Sequence, residues 1–212
     1  MKLFFDIETI PADEDHRDFA IALSAKKAQK FSTGKKVTTP SSKAAKEKLF
    51  RASSISGDFG RILCIGYAIE NEPTQVIGGD EKEILENWWE VAGNADHFIG
   101  HNIMEFDLRF IFKRSIVNKI RPAAKHLNLS FARYRGYPIY DTMREWEKWS
   151  NSFISLDTLA KILGLESSKD GGIDGSQVYD FYLRGDTEKI YDYCKRDVEL
   201  TRKVYKRMCF EE

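Results

Sequence analysis

LFFDIETIP, Leu3 to Pro11, runs three apolar residues into Asp6 and places Glu8 two positions further on. The apolar run reads as a strand bound for a core. In a strand, residues i and i+2 point to the same face, so the two carboxylates project together. Two like charges side by side are unfavourable unless a cation neutralises them or one keeps its proton. Oxygen ligands alone suit hard ions such as Mg2+ or Mn2+. The competing reading is a strand end that has reached solvent, and on these two residues alone it stands first.

The rest of the chain bounds what such a strand can belong to. Its 212 residues are 42% hydrophobic, enough for one well-buried domain spanning 1–212. No run of about 18 apolar residues is present, so no transmembrane helix and no membrane partner is expected. The N-terminus lacks the pattern of a secretory signal. Three widely spaced cysteines, Cys64, Cys194 and Cys209, form no CxxC pair. They indicate neither a disulfide framework nor a zinc site, and a cytoplasmic setting fits. Lys+Arg and Asp+Glu are both 33, so net charge says nothing in favour of nucleic acid. Its distribution is uneven: Lys26, Lys27, Lys30, Lys35, Lys36, Lys43, Lys46, Lys48 and Arg51 stand against Glu47 alone. Such a run either attracts a polyanion or is a solvated face.

Residues 12–58, rich in Ala, Lys, Ser and Thr, read as an insertion with one or two helices and a flexible tip around Thr38–Ser42. Gly60–Asn71 reads as a long strand with Pro73–Gly79 as its hairpin partner. A helix follows, with Asp80 as N-cap and Gly93 as its stop. Asp96–Asn102 is a short strand, and Glu105–Val117 an amphipathic helix. Residues 119–150 are aromatic and basic and are assigned only loosely. Ser155 caps a helix through Leu165, Ser167–Ser176 is a loop, and helices over 177–185 and Thr187–Met208 close the chain. The order of elements predicts an α/β domain with a mixed sheet.

Two further acids join Asp6 and Glu8. Asp107 lies on the first turns of the helix after IGHN, with His101 and Asn102 at the turn. Tyr193 and Asp197 are four apart, hence on one helix face. Each alone reads equally well as a surface residue. In order they form Asp-x-Glu on the first strand, Asp early in a mid-chain helix, and Tyr-x-x-x-Asp on the last helix. With motifs FDIETIP, GHNIMEFDLRF and YCKRDVELT, the sequence resembles the DEDD superfamily of 3′–5′ exonucleases, in its tyrosine-type (DEDDy) branch. Within it, the likeness is to predicted exonucleases related to the proofreading domain of family B DNA polymerases. LDTLAKILGL and GIDGSQV also resemble that group. The likeness covers residues 1–10 and 60–208, and the insertion 12–58 lies outside it. The histidine branch would carry His five places before the last Asp, where Asp192 stands here.

The resemblance implies an RNase H-like mixed β-sheet flanked by α-helices, with a basic helical insertion after the first strand. It implies hydrolysis of the 3′-terminal phosphodiester of single-stranded nucleic acid, DNA favoured, with release of nucleoside 5′-monophosphates. Asp6, Glu8, Asp107 and Asp197 would hold two divalent cations, Mg2+ or Mn2+, and Tyr193 would orient the attacking water. Thr9 and Ile10 would meet the terminal nucleotide through backbone amides and an apolar contact, and Asn102 and Phe106 would line the strand's path. The aromatic-basic stretch FARYRGYPIY, with Arg133 and Arg135, suits stacking and phosphate contact, or packing under a loop. Lys169–Ser176, with Asp174, resembles a substrate-flanking loop, and Asp141 is a candidate supporting carboxylate. Three alternatives stay open: an exoribonuclease, a non-catalytic nucleic-acid-binding module, and a polymerase-accessory module on the same fold. A polymerase or another replication or repair protein is the partner such a module would need.

Overall fold

The structure, a computed structural model, describes residues 1–31, 42–167 and 172–211. Five strands form one sheet: β1 (Lys2–Ile10), β2 (Arg61–Ile69), β3 (Gln75–Gly78), β4 (His97–Gly100) and β5 (Ile139–Asp141), in the order β3-β2-β1-β4-β5. β2 runs antiparallel to β1 and β3, whereas β4 is parallel to β1 and β5. The helices are α1 (Arg17–Phe31), α2 (Lys43–Arg51), α3 (Glu81–Ala92), α4 (Asp107–Asn118), α5 (Thr142–Trp146), α6 (Leu156–Ile162), α7 (Val178–Leu183) and α8 (Thr187–Met208). Among the described residues, no helix is long and apolar enough to cross a membrane.

The expected caps are present. Asp80 accepts from the Lys82 N–H at 2.9 Å and Gly93 ends α3. Ser155 accepts from the Thr158 N–H at 3.1 Å. The loosely assigned stretch 119–150 holds β5 and α5, which at three and five residues are too short for periodicity to reveal.

β1 shows why its alternation matters. Leu3, Phe5 and Ile7 pack with Trp88 of α3 and Leu108, Phe110 and Ile111 of α4. Phe4 faces the other way, onto Val198 and Tyr205 of α8, and Ile10 joins Tyr193 and Cys194 of α8. With period 2, Asp6 and Glu8 share the face of Phe4 and Ile10 and look at α8. The strand therefore carries its carboxylates inside the molecule: Glu8 is 7% exposed. Burial of side chains such as Phe5 and Trp88, both fully enclosed, contributes roughly 2–3 kcal/mol each. That apolar frame holds the charged end of β1 in place.

The segment after β1 contains two helices, where one or two were expected; of the proposed tip, 38–41 lie outside the described residues and Ser42 caps α2. α1 and α2 meet through Ala20, Ile21 and Phe50, against which Tyr179 of α7 also packs. The Arg17 guanidinium lies 4.0 Å over the Phe50 ring and pairs with Glu47. Two hydrogen bonds fasten this unit to the end of β1. Thr9 Oγ1 donates to the Ser54 carbonyl at 2.7 Å, and the Ala12 N–H donates to Ser53 Oγ at 3.1 Å.

α8 lies close on the sheet because β2 carries Gly66 beneath it. A Cβ there would sit 2.8 Å from Cys194 Sγ and 3.1 Å from Val198 Cγ2. Gly66→Ala is expected to lift α8 and destabilise the domain by about 1–3 kcal/mol, read as a lower urea midpoint. An unchanged midpoint would refute this account of how α8 is seated.

Candidate active site

β4 pairs with β1 only through Lys2, Leu3 and Phe4, then ends at Gly100. Beyond that point the β4 side of β1 has no strand partner, and Asp107 takes the place of one. Its Oδ1 accepts the Ile7 N–H at 3.0 Å. Asp107 opens α4 and is 2% exposed. A side chain on the helix packed against one face of the sheet thus reaches its end, where Asp6 and Glu8 emerge on the other.

The turn that delivers Asp107 is held by Asp141, the last residue of β5, which is fully buried. Its carboxylate accepts four N–H groups: Asn102 at 2.9 Å, Met104 at 3.0 Å, Met143 at 3.1 Å and Arg144 at 3.2 Å. Asn102 takes φ +63° to make the turn, a conformation Asn tolerates better than most residues. His101 is fixed by Thr142 Oγ1 and the Ile154 carbonyl, both at 2.9 Å. Burial lowers its pKa, so it is a neutral turn residue whose Nε2–H donates to Ile154.

From α8, Tyr193 (6% exposed) and Asp197 (9%) face the same point. The Tyr193 hydroxyl is hydrogen-bonded to Asp197. Asp107 and Asp197 act electrostatically on Asp6 and Glu8, although they are not part of the group whose ligand atoms lie within 4.8 Å of one another. Burial pushes Asp6 and Glu8 well above the carboxylate range, and Asp107 and Asp197 push both further. Asp107 is raised from 3.8 to about 7, by burial and against the pull of the Ile7 N–H. Burial, then Asp197 and Glu8, raises Tyr193, which stays a phenol. None of the groups acting most strongly on Asp6, Glu8 or Asp107 is a cation.

Two thiols complete the surroundings, and sequence reasoning missed them. Cys64 is the cross-strand partner of Glu8. Cys194 Sγ lies 3.6 Å from the Asp6 carbonyl, and ligand atoms of Asp6, Glu8 and Cys194 fall within 4.8 Å of one another. A hydrogen bond to Cys64, with burial, pushes the Cys194 thiol well up. A protonated thiol is a poor ligand for a hard ion, so the donors that fit here are the carboxylate oxygens. Signals for both cysteines existed only in position: one follows Tyr193, the other lies on the strand paired with β1.

The residues expected to touch substrate scatter more widely. Ile10 is buried among Leu63, Ile173, Val178 and Tyr193. Thr9 commits its hydroxyl to Ser54. Asn102 turns its Oδ1 inward, buried and without a hydrogen-bond partner. Phe106, half-buried, precedes Asp107 and packs on Phe110. Arg133 and Arg135 are exposed on the loop entering β5. Arg135 adjoins Gly136, whose carbonyl contacts His97 Nε2 at 2.7 Å, at the N-terminal end of β4. That is the sheet end opposite Asp6 and Glu8, because β5 runs parallel to β4 and β1. Asp174 caps the short helical turn Gly175–Gln177, while residues 168–171 of that loop lie outside the described residues. Asp192 faces solvent and pairs with Lys195 at 2.7 Å.

A family profile described as "predicted 3′–5′ exonuclease related to the exonuclease domain of PolB" matches residues 69–212. The chain belongs to this PolB-exonuclease-related family. No curated protein matches it. Among solved structures it is similar to the family B DNA polymerase of the hyperthermophilic archaeon Pyrobaculum calidifontis, with TM-score 0.67 and 13% identity. The match covers 98% of this chain and 24% of the polymerase, so the chain spans about a quarter of that protein's length. At that identity the likeness shows the fold, an RNase H-like mixed sheet with flanking helices. The family profile starts at the end of β2, so β1, with Asp6 and Glu8, precedes the matched region.

The raised pKa of Asp107 means that the folded chain holds this proton more tightly than the unfolded chain. Its contribution to stability therefore falls as pH rises from 3.8 to about 7. Asp107→Asn removes the charge and keeps an acceptor for Ile7. Without divalent cations at pH 8, this variant is expected to exceed the parent in stability by on the order of 2 kcal/mol, with a smaller gap at pH 5. Chemical denaturation checks it; a less stable variant at pH 8 would contradict the burial argument.

Proposed function

We propose that this protein is a two-metal-ion 3′–5′ exonuclease that hydrolyses the terminal phosphodiester of single-stranded nucleic acid, DNA favoured, and releases nucleoside 5′-monophosphates. One observation supports it above the rest: Asp6 and Glu8 bring carboxylate oxygens within 4.8 Å of each other, and Asp107, a hundred residues on, accepts the Ile7 N–H between them, with Asp197 of α8 acting on both. Such a cluster is unfavourable for a fold with no use for it, because each added charge raises the cost of the next.

Asp6, Glu8, Asp107 and Asp197 are the residues that would hold the ions. Mg2+ or Mn2+ held there would supply a water of lowered pKa and positive charge for the leaving 3′ oxygen. Tyr193 would orient that water by a hydrogen bond and not act as a base, since its surroundings keep it protonated. Asp141 keeps the Asn102–Phe106 turn rigid, which fixes where the Asp107 carboxylate points. Backbone N–H groups at Thr9 and Ile10, together with Asn102 and Phe106, are the proposed contacts to the terminal nucleotide.

The direct test incubates the protein with 3′- and 5′-labelled single-stranded DNA, duplex DNA and RNA, in Mg2+, Mn2+ or EDTA. Mononucleotides are expected from the 3′ end, with no reaction in EDTA. Asp6→Ala should be inactive. Tyr193→Phe should be slowed roughly 10- to 100-fold, as for loss of a group that only orients a ligand. Full activity of Asp6→Ala would end the catalytic assignment. Nucleic-acid binding without hydrolysis under any condition would favour a non-catalytic module, and release from the 5′ end would reverse the polarity.

A further inference from the structure

A cavity apart from the acids lies beside the insertion. It has a volume of about 650 Å³ and lies between the inserted helices and α4. Its walls are largely apolar, with Leu23, Leu49 and Phe59 on the side of the insertion and Phe106 and Phe110 opposite. Its cations are Lys27, Lys48, Arg109 and Lys113; Arg109 pairs with Glu105 at its edge, and Lys27 and Lys113 share Asp58, which leaves the groove a net positive charge.

Both walls start beside the acid cluster. Ser53, in the wall, donates from Oγ to the Phe50 carbonyl and accepts the Ala12 N–H, while its neighbour Ser54 accepts from Thr9, the residue after Glu8. Phe106, in the other wall, is the residue before Asp107. The floor is fixed by close backbone packing: a Cβ on Gly57 would meet the Phe110 Cα at 3.2 Å. Asp58 links the two sides, accepting from Lys27 at 2.5 Å and from Lys113 at 2.7 Å. The groove leads away from the end of β1 that carries Asp6 and Glu8. Lys48 stands exposed at its rim, and Ile55 is 70% exposed beside it.

We propose that this groove holds the single strand immediately upstream of the scissile linkage, with bases against Ile55, Phe59 and Phe106 and phosphates near Lys48 and Lys113. An apolar floor with a cationic rim fits a flexible polyanion whose bases offer flat apolar faces. The inference rests on the exonuclease reading and assigns the insertion its role as one wall of the substrate channel.

The test measures KM for single-stranded oligomers from dinucleotide to decamer, hydrolysed from the 3′ end by the full chain. KM is expected to fall by about tenfold with length and then level off, with a steeper salt dependence for the longer oligomers. Lys48→Glu and Ile55→Asp, both at exposed positions, should each raise KM for the decamer about five- to tenfold and flatten the length dependence. Lys82→Glu, exposed on α3, serves as a charge control and should leave KM unchanged. Melting temperatures of the variants verify folding. No length dependence in the parent, or a decamer KM unmoved by both groove variants, would overturn the groove assignment while leaving the exonuclease reading standing. Absence of hydrolysis of every substrate would instead remove the reading beneath it.

Discussion

The hydrogen bond from the Ile7 N–H to Asp107 ties the two halves of the site together. It exists because β4 stops early and leaves one edge of β1 unpaired, and a buried N–H must find an acceptor. Filling that vacancy with a carboxylate has a consequence. It adds a third acid to a point where Asp6 and Glu8 already project and Asp197 arrives from α8. The backbone's need for an acceptor and the concentration of negative charge are one arrangement.

That arrangement works against stability and is held by the rest of the structure. The apolar sheet faces clamp β1 between α3 and α4 on one side and α8 on the other. Asp141 acts differently, with four N–H bonds stabilising its charge. It lets the chain turn sharply between β4 and α4 without leaving those groups unsatisfied. Gly100 is part of the same turn, since a Cβ there would lie 2.1 Å from Ile103 Cγ2. Asp107 is therefore placed by a turn with little freedom.

The insertion follows the same logic at lower cost. Its helices share a small apolar cluster, and its ion pairs are mostly half-exposed, where each contributes little. What anchors it is contact with the end of β1 and with α4, two of the three elements that carry the acids. Two of its basic residues, Lys27 and Lys48, line one side of a groove whose other side carries Phe106 and Phe110.

Local pattern alone determined much of this protein. Alternation in LFFDIETIP placed Asp6 and Glu8 on one face, helical spacing paired Tyr193 with Asp197, and Asp80, Gly93 and Ser155 marked helix ends where the structure has them. Those features depend on residues a few positions apart, where periodicity and capping chemistry act. Only the tertiary structure decided that Asp107 bonds to Ile7 and that Cys64 and Cys194 border the acids. It alone placed Arg135 at the far end of the sheet. β5 and the cavity wall were equally hidden. Each of these depends on strand order, register and where a strand stops, set by contacts between residues up to 188 positions apart, and no short window of sequence records them.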